Sequence, residues 1–110
     1  MSKSRYQSKM SKACDIPPKA KRKVWERDGG CCIICGNPHA MPNAHYIPRS
    51  KGGLGIEQNI VTLCIRCHYN YDNGGKRKEY GSMIHDYLAA CYRNWNEQKL
   101  IYKKGMTYED

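Results

Sequence analysis

The chain has 110 residues, a formal net charge of +9 and seven cysteines. That length fits one small domain with a modest core. No stretch reaches the length of an apolar membrane span, and the polar, basic N-terminus lacks the apolar run of a secretory signal. An odd set of thiols behind such an N-terminus predicts the reducing cytoplasm, with cysteines on metal rather than in disulfides. Neither a membrane partner nor a disulfide-stapled secreted scaffold is expected.

The charge is uneven. Residues 1–27 carry nine Lys or Arg against two acids, while the rest of the chain carries ten against eight. A basic segment of that kind exchanges counterions with a polyanion, so nucleic acid, not a small-molecule substrate, is the expected partner. Residues 1–14 read as a basic flexible arm, and 15–110 as a single domain with its core at 31–75.

In chain order, Asp15-Ile16-Pro17-Pro18 marks a helix start that would run to Arg27, stopped by Gly29-Gly30. Ala20 and Val24 share one face of it, with Trp25 beside them. Lys19, Lys21, Arg22 and Lys23 crowd the rest as candidate DNA-phosphate contacts. Cys31 to Gly36 forms a tight thiol-bearing turn. Asn43 to Ile47 reads as a short strand, followed by a glycine-rich connection, Ser50 to Gly55. Ile60-Val61-Thr62-Leu63 is a β-branched second strand. A helix then starts near Cys64 and ends at Asn73-Gly74-Gly75. A last helix is expected at about 82–94, where Met83, Ile84, Tyr87, Leu88 and Cys91 recur at helical spacing as core, with Cys91 a buried thiol. Leu100-Ile101-Tyr102 adds an edge strand or packs down. The fold class is α+β.

Two Cys-x-x-Cys pairs, Cys32/Cys35 and Cys64/Cys67, supply the four thiolates that a tetrahedral zinc ion takes. Between them lie His45-Tyr46-Ile47-Pro48, Ser50-Lys51-Gly52-Gly53 and Asn59. His68 follows the second pair directly. With the lead-in Val24 to Gly30, this order resembles the HNH endonuclease family, in the subgroup with a four-cysteine zinc knuckle. The small phage and prophage members are most similar in size and layout. The resemblance covers roughly 50 residues.

The resemblance implies a small ββα-metal fold with flanking helices and a metal-dependent DNA endonuclease, nicking double-stranded DNA in a bacterial or phage-infected cell. The family spacing selects Cys32, not Cys31, as the zinc ligand. His45 matches the general base and His68 the last histidine, at the metal-site helix. Asn59 matches the middle asparagine, which orients the base or touches the catalytic metal. Many members carry Asp or His before the base, where this chain has Ala44. Asp72 lies one helical turn beyond His68 and offers a carboxylate to Mn²⁺ or Mg²⁺, unless it is only a helix carboxylate. His45 could itself bind the ion. Arg49, Lys51 and Arg66 flank the site and would meet phosphates. His39 and His85 read as solvated surface groups, and Cys14 as a free thiol. The competing expectation is a non-catalytic zinc-knuckle DNA-binding module.

Overall fold

A computed structural model describes residues 8–104. Helix α1 spans Lys9–Cys14 and α2 spans Pro18–Arg27. Strands β1, Ala40–His45, and β2, Ile60–Cys64, form one antiparallel pair. Helices α3, Ile65–Asp72, and α4, Arg77–Cys91, complete the frame. Short 3₁₀ turns cover Arg49–Lys51, Glu57–Asn59 and Glu97–Leu100. The architecture is α+β, as expected. Among the described residues, no helix is long and apolar enough to cross a membrane.

Where a loose arm was expected, residues 9–14 are helical. The Ser8 hydroxyl accepts the Ser11 N–H at 3.0 Å, which caps the helix, and Cys14 is buried at its other end. Residues 1–7 of the arm lie outside the described residues. Helix α2 begins at Pro18, whose missing N–H costs nothing there, and ends before Gly29 and Gly30, both at φ +70°. Val24 is buried, while Trp25 stays 49% exposed.

Strand β1 starts and stops earlier than the expected 43–47. Its register slips between Met41 and Ala44, where Pro42 has no N–H for the ladder. Ile47 lies outside the strand because the Asn59 side chain takes its N–H, while the Tyr46 N–H still reaches the Asn59 main-chain carbonyl at 2.7 Å. Strand β2 is buried at every position, covered on both sides. Val61 and Leu63 join Ala44, Tyr71, Ile84 and Leu88 in the main cluster. Burial of such aliphatic side chains contributes about 1.5–3 kcal/mol each.

On the α2 side, a charged hub ties the layers. Arg27 donates to both carboxylate oxygens of its neighbour Asp28, to the Ile60 carbonyl at 2.7 Å, to the Glu57 carbonyl at 2.8 Å and to the Tyr92 hydroxyl. Asp28 also accepts the Thr62 N–H at 2.8 Å and the Tyr87 hydroxyl. A carboxylate with no exposed surface needs such pairing, since an unpartnered buried charge would be expelled.

Helix α4 begins five residues before the expected start. Its first turn is polar, so no apolar period announces it, yet Glu79 suits the helix dipole there. It ends at Cys91 because Tyr92 is extended and Asn94 takes φ 62°. Cys91 is therefore exposed, not buried, as is Met83. The stripe narrows to Ile84 and Leu88, with Tyr87 half-buried. Residues 100–102 make no full strand. They pair with the glycine-rich loop through Leu54 N–H to Leu100 O and Tyr102 N–H to Gly52 O, both 2.8 Å.

Candidate metal centre and cleft

Cys32 and Cys35 sit in a turn closed by Gly36 N–H to Cys32 O at 2.8 Å and Cys32 N–H to Asn37 O at 2.9 Å. Cys64 caps the N-terminus of α3, and Cys67 lies in its first turn, its N–H donating to the Cys64 sulfur at 3.4 Å. All four sulfurs lie within 4.8 Å of one another. The Cys35–Cys64 separation is 3.7 Å. A tetrahedron with metal–sulfur bonds of about 2.3 Å has edges of about 3.8 Å, so the set fits a zinc ion. Cys31, the neighbour, is not in the cluster.

The thiols are tuned unequally. Burial opposes ionisation of Cys32, but backbone N–H groups of Cys35, Cys64 and Ile34 outweigh it and bring its pKa down to about 7. Burial, reinforced by the neighbouring sulfurs, pushes Cys67 well above the usual thiol range. Four thiolates together need a cation to hold them.

The knuckle clamps the root of the β1–β2–α3 unit, and beside that unit opens a cleft of about 600 Å³. His45 enters it from the end of β1, and His68 and Asp72 from α3. Arg49, Lys51 and Arg77 supply its positive charge. His68 Nε2 and Asp72 Oδ2 are 3.1 Å apart, and Arg77 stands 3.6 Å from the other Asp72 oxygen. Two cis ligands of an octahedral ion with bonds of about 2.1 Å lie about 3 Å apart, so this pair suits one shared hard cation.

His45 Nε2 lies 2.8 Å from the Cys14 carbonyl oxygen. Burial above all holds its imidazole below the ordinary histidine range. Arg49 and His68 push the same way, against the Cys14 carbonyl and Asp72. Ala44 points the other way, into the core, and pairs with Val61. Asn43, two residues before His45 on the same strand face, lines the cleft instead.

Asn59, expected to orient the base or touch the catalytic ion, has no exposed surface and does not line the cleft. Its side-chain oxygen accepts the Ile47 N–H at 2.9 Å, and its amide donates to the carbonyls of Ile47 and Leu54. Its amide is spent on fixing the loop after His45. That geometry speaks against a metal ligand and for a brace. Gly53 lies under the same loop, where a Cβ would fall 1.6 Å from the Ile47 carbonyl.

The other expected contacts are dispersed. Arg66, Lys19, Lys21, Arg22 and Lys23 are exposed but do not line the cleft, and Lys23 lies 3.7 Å from Glu57. Arg49 reaches Asp15 at 3.0 Å and the Ser11 carbonyl at 3.2 Å. His39 is exposed, while His85 is half-buried between Asp86 and Glu97, edge-on to Trp95. Sequence reasoning missed Arg77, which follows a glycine pair in a polar stretch, and Asn43, whose only signal is its two-residue offset from His45.

The family profile described as HNH endonuclease matches residues 32–74, the span from the first knuckle cysteine past Asp72. A curated relative, Anaredoxin from Nostoc sp. strain PCC 7120, is 37% identical over 57 residues. That alignment covers 51% of this chain and 75% of the relative. This chain belongs to the HNH endonuclease family. The matched segment holds both the four-cysteine cluster and the two histidines of the cleft. Membership brings nuclease chemistry on nucleic acid as the general class of activity.

Proposed function

We propose that this chain is a metal-dependent DNA endonuclease that uses His45 as general base. The observation that carries the reading is the His45–Cys14 contact at the cleft. A carbonyl oxygen only accepts, so Nε2 holds the hydrogen and the neutral ring presents a bare Nδ1. Burial favours that neutral form. Nδ1 would take a proton from water as its oxygen attacks the phosphorus and the bond to the 3′ oxygen breaks.

His68 and Asp72, with Asn43 in reach of the same cleft, would hold a Mn²⁺ or Mg²⁺ ion, which when bound supplies positive charge to the phosphate and the leaving oxygen. Lys51 and Arg77 would contact the flanking phosphates, as would Arg49 while it keeps its pair with Asp15. Lys19, Lys21, Arg22 and Lys23 would extend that contact along duplex DNA. One cleft per chain acts on one strand, so nicking is the expected outcome.

A second reading is a zinc-knuckle DNA-binding module without catalysis. The pairing of Asp72 with both His68 and Arg77 favours it, because it leaves that carboxylate partly satisfied by protein alone. Supercoiled plasmid incubated with and without Mn²⁺ or Mg²⁺ separates the two. Ion-dependent conversion to open circles supports the nuclease. A bound but uncut plasmid with every ion overturns it.

A further inference from the structure

Residues 11–15 lie outside the matched HNH segment, yet they close against the cleft loop. The Ala13 carbonyl accepts the Gly55 N–H at 3.0 Å. Arg49 holds Asp15 and Ser11 from the other side. Cys14 is 1% exposed, and its main-chain carbonyl faces the His45 ring at 2.8 Å. Gly55 has no left-handed φ, so the backbone there would accept a side chain. What forbids one is the segment itself, since a Cβ would fall 1.9 Å from the Asp15 carbonyl oxygen and 2.9 Å from that of Cys14. The loop is cut to the shape of its docked partner.

A free neutral imidazole divides between two tautomers and rotates about its side-chain bonds. A single carbonyl fixed on one nitrogen removes both freedoms. We propose that Ser11 to Asp15 completes the catalytic cleft, with the Cys14 main-chain carbonyl as the positioning group that sets the His45 tautomer and ring direction. The segment acts through its backbone, so docking, not the Cys14 thiol, is what matters. This rests on the reading of His45 as the base.

Two full-length variants test it. Gly55→Ala places a Cβ against the docked segment. Asp15→Lys reverses a surface ion pair whose side chains are 51% and 44% exposed, which spares the core should Gly55→Ala fail to fold. Zinc content and thermal unfolding identify the folded variants. The wild-type His45 ring, read by long-range ¹H–¹⁵N correlation, should carry its hydrogen on Nε2. In a folded variant the ring should show a tautomer mixture, and plasmid cleavage at saturating DNA should fall at least about tenfold. Folded variants that keep both the wild-type tautomer and the wild-type rate would overturn the positioning role. A wild-type protein that cleaves nothing would instead strike the nuclease reading, and the tautomer comparison would still decide whether the segment fixes His45.

Discussion

His68 and Asp72 stand one helical turn apart on α3 with Nε2 and Oδ2 separated by 3.1 Å. The helix alone brings them to one face, and the end of β1 turns His45 into the same cleft. A nitrogen and a carboxylate oxygen make a mixed donor pair that accepts Mn²⁺ better than Mg²⁺. Asp72→Ala should therefore raise the Mn²⁺ concentration for half-maximal cleavage by about tenfold or more, and excess Mn²⁺ should restore part of the rate. An unchanged metal dependence would make Asp72 a helix carboxylate held by Arg77.

The knuckle is a claim about stability. Purified protein should contain one tightly held zinc per chain, and Cys64→Ser should lose both the metal and cooperative unfolding, because that residue belongs to the four-cysteine cluster and caps α3. Cys91→Ser, at an exposed position, should change stability by less than about 0.5 kcal/mol. Metal-free protein that unfolds cooperatively at the wild-type temperature would contradict the assignment. One equivalent of iron would keep the four-thiolate cluster and change only the metal, since that geometry serves both.

The pH profile follows from the surroundings of His45. Burial disfavours the imidazolium, so the folded ring loses its proton at lower pH than an ordinary histidine. A base works in its neutral form. Cleavage should rise with pH through that lowered pKa and then level off, with its midpoint below the ordinary histidine value. A midpoint above that value would assign the titration to another group.

Asn59 should act as a brace. Asn59→Ala leaves the Ile47 N–H and the carbonyls of Ile47 and Leu54 without their partner in a buried site. Denaturant unfolding should show a loss of about 2–3 kcal/mol. A loss under about 0.5 kcal/mol would mean water replaces the amide at no cost.

The four-cysteine cluster could be read from the chain because its members come as two local pairs, and local spacing survives folding. Strand β2 and helix α3 announced themselves through Ile60-Val61-Thr62-Leu63 and the Asn73-Gly74-Gly75 stop. The bounds of β1 could not be read, since the Pro42 bulge and the Asn59 amide replace ladder bonds that a strand pattern assumes. Arg27 and Asp28 passed for a helix end, although the fold sinks both into a hub among Glu57, Ile60, Thr62, Tyr87 and Tyr92. The Cys14 contact had no signal at all. Any residue offers a main-chain carbonyl, so only the docked fold reveals which one meets His45.

The central claim is that His45 takes the proton from attacking water. The direct measurement is the single-turnover nicking rate of His45→Ala beside wild type, with DNA affinity measured on the same preparations. The rate should fall by about 10²–10⁴-fold, the usual worth of a general base, while affinity stays close to wild type. A variant that binds DNA normally and nicks it at the wild-type rate would contradict the account.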